Sequence, residues 1–152
     1  MAAPPESLPS FEATSLTGKS VRAAQLMGQP TILIVTPSQG AAGDTRRWAE
    51  SLRAQLDEKA IRVRDVLAID LPFFMDEADA LGRAREKIPS RYHDQTWLYA
   101  KPKLEKELGI PVDSTRAFVL VLAADGRILE RVDGAPTDER LQSVLSAVRS
   151  IK

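Results

Sequence analysis

The side chains that could do chemistry lie around one short turn. The apolar strand Thr31–Val35 is followed by Ser38, Gln39 and a Gly-Ala-Ala-Gly turn at 40–43, after which a helical segment begins. A serine at this place would need a neighbouring base to act as a nucleophile, and the chain has a single histidine, His93. No Gly-x-Ser-x-Gly sequence surrounds Ser38. The residues therefore favour an ordinary turn serine over a nucleophile.

The 40–43 turn has a second interpretation, as an anion site. Free backbone N–H groups at the start of a helix bind small anions and carboxylates, and Arg46 and Arg47 follow closely in the sequence. The turn lacks the lysine that follows the second glycine of a phosphate-binding loop. A plain tight turn that starts a helix is the favoured interpretation, and the anion site stays open as the alternative.

Two other segments carry candidate binding residues. His93 stands in the run Ser-Arg-Tyr-His-Asp-Gln-Thr-Trp, which is either a binding rim with a titratable imidazole or a surface loop whose aromatic rings pack on the core. Phe73 and Phe74 follow the second long strand, where they form either an exposed patch for a partner protein or a cluster buried under the next helix. In both segments we favour the second interpretation. The carboxylates nearby show no metal-ligand spacing, and we predict no metal site.

The composition excludes several classes of function. The chain has no cysteine, so it has no disulfide, no catalytic thiolate and no thiolate metal ligand. Lys+Arg and Asp+Glu both number 21, and no basic block suggests a nucleic-acid partner. No apolar run approaches the ~20 residues that span a bilayer, so we expect no membrane insertion. We also expect no cofactor.

The hydrophobic pattern predicts a single α/β domain over 11–152, preceded by a flexible, Pro-rich segment at 1–10. A turn at Leu-Thr-Gly-Lys-Ser joins two short extended pieces near the start. The later elements run strand, helix, strand, helix, short helix, strand, strand, helix. This order predicts a central mixed sheet flanked by helices on both faces.

Turn and capping residues predict the bounds of these elements. Asp44 or Thr45 caps the first helix. The other predicted bounds are, in chain order, a second strand from Ile61 to Pro72, a helix from about Asp76 to before Pro89, a loop over 89–97, a short helix ending at Gly109, a hairpin turning at Asp125-Gly126, and a last helix capped by Thr137.

The start and the end of the chain resemble the redoxin branch of the thioredoxin-like superfamily, which holds the AhpC/TSA and TlpA-type proteins. The similarity runs from about Leu8 to about Val148, and the last hairpin and helix also resemble the YtfJ-like subgroup. The residues that carry the opening motif are Pro9, Phe11, Leu16, Gly18, Lys19, Leu26, Gly28 and Pro30.

The resemblance implies a thioredoxin-like fold whose redox positions are lost. In that family the first long strand delivers a Cys-x-x-Cys motif to a helix start, where the thiol pKa is lowered. The degenerate motif falls here on Gly40, Ala41, Ala42 and Gly43. The family's cis-proline position falls near Ala117, preceded by Arg116, and a cis bond is not expected at a residue other than proline.

The implied function is a redox-inactive member that binds a protein or peptide, or acts as a scaffold. Thiol–disulfide exchange and thiol peroxidase activity are not expected, because both need a thiolate. Two alternatives stay open: an enzyme with a thiol-independent or borrowed mechanism, such as a component of an oxidoreductase system, and a mainly structural protein. The predicted binding surface consists of Ser38, Gln39, Arg46, Arg47, Phe73, Phe74 and His93. The resemblance also implies a bacterial, periplasmic or otherwise exported protein, with the cytoplasm as the alternative.

Overall fold

A computed structural model of the chain describes residues 7–69, 71, 74–99, 103–111 and 114–151, with only the backbone described at 103–105. The strands are β1 (Glu12–Ser15), β2 (Ser20–Arg22), β3 (Thr31–Thr36), β4 (Arg62–Ala68), β5 (Thr96–Tyr99), β6 (Phe118–Leu122) and β7 (Ile128–Asp133). The helices are α1 (Ala42–Gln55), α2 (Glu77–Lys87), α3 (Lys103–Leu108) and α4 (Asp138–Arg149). Short 3₁₀ turns cover Ala23–Leu26, Gln39–Ala41 and Ser90–Gln95.

The seven strands form one mixed sheet in the order β2-β1-β5-β4-β3-β6-β7. The strands β3, β4 and β5 are parallel to one another, and every other neighbouring pair is antiparallel. The central strand β3 is buried at all six residues, as expected for an apolar β-branched run covered on both faces. The predicted mixed sheet flanked by helices is therefore confirmed.

Each face of the sheet carries its own apolar layer. On one face, Trp48 and Leu52 of α1 pack with Val144 and Val148 of α4 against alternate residues of the central strands. On the other face, Leu108 of α3 packs with the N-terminal segment and the aromatic rings of β5. The helix α1 is thereby held with its first residues at the carboxyl end of β3.

The capping predictions succeed for two helices and fail for one. The amide of Asp79 donates to Asp76 Oδ1 at 2.8 Å before α2, and the amide of Arg140 donates to Thr137 Oγ1 at 3.3 Å before α4. The prediction of Asp44 or Thr45 as the cap of α1 is wrong, since the helix begins at Ala42 and follows a 3₁₀ turn with no side-chain cap. The 3₁₀ turn leads the backbone directly into the helix without a capping side chain.

The prediction of a loop over 89–97 is also wrong in part. Ser90–Gln95 forms a 3₁₀ turn, and Thr96–Tyr99 forms β5, which lies between β4 and β1. The four residues of β5 are all buried, which gives no alternation to recognise in the sequence. The strand β4 ends at Ala68, earlier than the predicted Pro72.

The first described residues are already packed. Leu8 is buried and its amide donates to the Gly126 carbonyl at 2.9 Å, while Ser7 bridges to Arg127. Residues 1–6 lie outside the described residues. The predicted boundary between a flexible segment at 1–10 and the domain stays a prediction.

The guanidinium of Arg131 on β7 connects the end of α3 to the sheet. It donates to the carbonyls of Leu108 and Gly109 at the end of α3 and lies 5.2 Å from the ring centroid of Phe118. Partial burial lowers the pKa of Arg131. Because the C-terminal carbonyls of a helix favour a cation, we expect Arg131→Met to reduce the free energy of unfolding by about 1–3 kcal/mol in urea titrations.

The matched control for this prediction is Arg127→Met. Arg127 lies on the same hairpin, and among the described residues its 64% exposed side chain pairs with Asp125 alone, in the adjoining turn. An exposed ion pair contributes about 0–1 kcal/mol, so the control should change stability little. Equal losses in the two variants would contradict the role of Arg131.

Candidate functional site

The 40–43 turn lies at the start of α1, as the resemblance implied. Gly40 belongs to the 3₁₀ turn Gln39–Ala41, and Gly43 is the second residue of the helix. Gln39 and Gly40 are exposed, whereas Ala41 is fully buried. The two glycines therefore stand where a helix N-terminus offers its free N–H groups.

The two glycines differ in how much space surrounds them. A β-carbon built on Gly40 would lie 3.3 Å from Cγ2 of Thr115, which is tighter than usual packing allows. A β-carbon built on Gly43 would meet only the flexible end of Arg47, at 4.0 Å. The methyl group of Thr115 thus lies directly against Gly40, the first position of the degenerate motif, while Gly43, the last position, has open space around it.

A hydrogen bond joins this turn to the segment before β6. The hydroxyl of Ser38 donates to the carbonyl of Ser114 at 2.7 Å, and Ser114 Oγ accepts from the amide of Arg116 at 3.1 Å. The bond of Ser38 spans two distant segments, so it is more than the local turn bond expected from the sequence. Together these contacts place residues 114–117 against the 40–43 turn.

The predicted cis-proline position carries an ordinary backbone. No cis peptide bond occurs among the described residues, which include Arg116 and Ala117. Ala117 is fully buried, and its carbonyl accepts from the amide of Gly134 at 2.9 Å. The guanidinium of Arg116 lies 3.0 Å from Asp133 Oδ2 on β7.

The arginines near the turn are exposed. Arg46 is exposed, and the side chain of Arg47 is 65% exposed with its guanidinium 3.8 Å from Asp44. The hydroxyl of Thr45 shares a 2.7 Å hydrogen bond with Thr36, which anchors the first turn of α1 to β3. The anion site at this helix start stays the untested alternative to a plain tight turn.

His93 and Ser38 have separate hydrogen-bond partners, so His93 is not placed as a base for Ser38. Its Nε2 lies 2.7 Å from the carbonyl of Ile88, within the same connection. Among the described residues no hydrogen bond joins it to Ser38. Trp97 of the same segment is buried in β5, which confirms that an aromatic ring of this segment packs on the core.

The favoured interpretation of Phe74 as a buried residue is wrong. Phe74 is 71% exposed, the most exposed large hydrophobic residue of the described chain. The following helix α2 begins at Glu77, and Leu81 is its buried residue. Phe73 lies outside the described residues.

One residue with unusual chemistry escaped the sequence analysis. Asp65 of β4 is only 8% exposed, and burial raises its pKa to about 6 although Arg53 and Arg64 oppose the change. Its Oδ2 lies 3.9 Å from Nη2 of Arg53. The signal was present in the run Arg-Val-Arg-Asp-Val, where the charge at 65 interrupts an alternation that otherwise places charges outward.

The described part of the chain offers no metal centre and no membrane span. No group of three or more His, Cys, Asp or Glu side chains that could hold a metal ion occurs among the described residues. None of the described helices is long and apolar enough to cross a membrane.

Known structures share this architecture closely in shape and weakly in sequence. The thioredoxin domain of a thiol-disulfide oxidoreductase from Bacteroides vulgatus is 14% identical with a TM-score of 0.67, covering 96% of this chain and 98% of its own. The peroxidoxin BcpB from Mycobacterium tuberculosis is 15% identical with a TM-score of 0.63, covering 100% and 99%.

A third similar structure is the exposed lipoprotein thioredoxin Etrx1 from Streptococcus pneumoniae, at 12% identity and a TM-score of 0.64, covering 91% of this chain and 98% of its own. No family model and no curated protein matches the chain. The likeness to the YtfJ-like subgroup therefore stays a prediction. The sheet order, the helix start at the 40–43 turn and these structural neighbours, which are redoxin-type proteins, lead to one conclusion: the chain has the thioredoxin-like fold and carries no cysteine on it.

Proposed function

We propose that the chain is a redox-inactive binding module that takes an extended protein or peptide segment beside the 40–43 turn. The observation that carries the proposal is the contact between Gly40 and Thr115, which brings the 114–117 segment against a helix start without sulfur. The Ser38–Ser114 hydrogen bond holds the two segments together. A surface that keeps its shape after losing its reactive atoms is suited to binding rather than to chemistry.

The position of Phe74 supports the same surface. Phe74 follows β4, and the carboxyl ends of β3 and β4 lie at the same edge of the parallel part of the sheet. Ligands of open α/β sheets bind at that edge. An exposed aromatic ring is also a frequent centre of binding energy in protein interfaces. The carbonyl and amide groups of an extended peptide would lie along 114–117, with an apolar side chain against Phe74.

The test is selection of random linear peptides on the wild-type chain, followed by affinity measurements on variants. We expect Thr115→Trp, which replaces the small exposed side chain beside Gly40 with a large ring, and Phe74→Ala, which removes the exposed ring, to weaken the binding of selected peptides about tenfold or more. Circular dichroism and urea unfolding would verify that both variants fold.

The control is Leu129→Ala on β7, another exposed hydrophobic residue at 37% exposure. This variant should bind the selected peptides as the wild type does. Peptides that bind Thr115→Trp and Phe74→Ala with unchanged affinity would contradict the proposed surface. A chain that selects no peptide at all would contradict the binding module itself.

The alternative is a component of an oxidoreductase system, which the redox activities named for the similar structures favour. In that role the chain would raise the turnover of a cysteine-containing oxidoreductase from its own host. Peptide binding without any effect on such turnover would argue against the alternative.

We further propose that the protein is bacterial and works in the periplasm or is otherwise exported. One similar structure is an exposed lipoprotein by its own description. A chain without cysteine is also indifferent to the redox state of its compartment. Cell fractionation with an antibody against the chain tests this proposal, and recovery from the cytoplasm alone would contradict it.

A further inference from the structure

The carboxylate of Asp65 is buried without full compensation. Asp65 Oδ1 has no hydrogen-bond partner among the described residues, and Oδ2 lies 3.9 Å from Nη2 of Arg53. Ile34, its register partner on β3, is apolar and fully buried. Burial is the strongest influence on this group, and it raises the pKa of Asp65, which makes the neutral form easier to populate than in an exposed aspartate.

The residues beside Asp65 also hold the Ser90–Gln95 turn in place. Thr96, the register partner of Asp65 on β5, donates its hydroxyl to the carbonyl of Tyr92 at 2.9 Å. Arg53 donates to Gln95 Oε1 at 3.1 Å, and its guanidinium lies 4.3 Å from the ring centroid of Tyr92. Thr96 and Arg53 therefore both contact the turn and both lie beside Asp65, so the charge of Asp65 acts on the two side chains that hold the turn.

The hydroxyl of Thr96 couples the charge of Asp65 to this turn. Hydrogen bonding from Thr96 favours the ionised form of Asp65, yet the hydroxyl has one hydrogen and already donates it to Tyr92. An ionised Asp65 competes with the Tyr92 carbonyl for that hydrogen. A neutral Asp65 can donate its own proton to Thr96 Oγ1 and leaves the bond to Tyr92 intact.

We propose that Asp65 and the Ser90–Gln95 turn form a proton-operated latch, in which neutral Asp65 keeps the turn closed and ionised Asp65 favours its opening to water. In the closed state the pKa of Asp65 is about 6, and hydration in the open state returns it toward 3.8. The closed state binds the proton more tightly, so opening becomes more favourable as the pH rises between these values and levels off above them. The difference between the two pKa values of Asp65 corresponds to a roughly 100-fold change in the equilibrium constant for opening.

Other charged groups lie near Asp65, and their effects on the turn must be distinguished from the effect of Asp65. Glu58 accepts from Arg53 at 3.1 Å, and Arg64 on β4 is flanked by Arg62 and by Asp94 of the turn. His93 and Arg91 also belong to the turn. These residues define the control variants.

The test is amide hydrogen exchange from pH 4 to 8, with each rate divided by its intrinsic rate. The informative amides are those of Tyr92, which donates to Pro89 at 3.0 Å, and Leu16, which donates to His93 and Thr96 at 3.1 and 3.0 Å. We expect their opening equilibrium to rise with pH by up to roughly 100-fold and to level off above about pH 6. In Asp65→Asn the opening should not depend on pH and should stay near the low-pH value.

The controls are Asp94→Asn and His93→Gln. In both variants the opening equilibrium of the turn should still rise with pH. A rise that persists in Asp65→Asn, or that disappears in His93→Gln, would overturn the latch. Protection of Tyr92 and Leu16 as strong as that of the core amide of Val119 would overturn it too, because all three amides would then exchange only through global unfolding.

Arg53→Met gives an independent check if Asp65→Asn does not fold. Arg53 lowers the pKa of Asp65, so its removal should move the midpoint of the rise to higher pH. An unmoved midpoint in a folded Arg53→Met protein would contradict the role of Asp65.

Discussion

The Gly40→Cys/Gly43→Cys variant is expected to acquire a reversible dithiol–disulfide couple that the wild-type chain lacks entirely. The two positions lie three residues apart at the start of α1, where free N–H groups and the helix dipole lower a thiol pKa below its usual value near 8.5. Gly43 has room for the new side chain, and Gly40 needs only a small movement of Thr115. Alkylation rates against pH would give the thiol pKa, and equilibration with glutathione would give the reduction potential.

The matched control is Ser143→Cys/Ser146→Cys. These residues have the same spacing in the middle of α4, where the backbone N–H groups are already used within the helix. We expect its thiols to titrate near the ordinary value and to alkylate more slowly at neutral pH. Equal thiol pKa values in the two variants would show that the 40–43 turn gives no activation, and would remove the physical basis for relating it to a redox site.

Loss of Trp48 is expected to cause the largest loss of stability among the changes considered. Trp48 is fully buried between α1 and the sheet, and its indole N–H donates to the carbonyl of Gly134 at 2.7 Å. Trp48→Ala should reduce the free energy of unfolding by about 3–5 kcal/mol, because it leaves a large cavity. Trp48→Phe keeps most of the ring but leaves the Gly134 carbonyl without its donor, which should cost about 1–3 kcal/mol.

Urea unfolding followed by circular dichroism measures both variants, with Trp97→Phe as the control. Trp97 is also buried, packs edge-on against Phe11 with a centroid distance of 6.4 Å, and makes no indole hydrogen bond among the described residues. The difference between Trp48→Phe and Trp97→Phe therefore reports the hydrogen bond to Gly134. Similar losses in the two variants would mean that this bond contributes little.

The parts of the fold that could be predicted from the sequence are those with a local signal. The buried β-branched run of β3, the cap at Thr137 and the hairpin turn at Asp125-Gly126 each depend on neighbouring residues, and each prediction is confirmed. The position of the 40–43 turn at a helix start was predicted in the same way. The strand β5 was missed because four buried residues carry no periodicity.

The remaining features of the site depend on contacts between distant segments. The packing of Thr115 against Gly40, the bond from Ser38 to Ser114 and the contacts of Arg53 with Asp65 and Gln95 all join residues far apart in the chain. The exposure of Phe74 likewise depends on where α2 begins. None of these contacts has a signature within a short window of sequence.

The place of β5 in the sheet has a consequence for the order of assembly during synthesis. In the described part of the sheet, the hairpin β1–β2 joins the other strands through the pairing of β1 with β5. The ribosome therefore releases this hairpin long before Tyr99 exists, and a lone two-stranded hairpin is barely stable in water. We expect this hairpin to be among the last parts of the fold to become protected, and a nascent chain halted before residue 96 to leave β1 accessible to proteases.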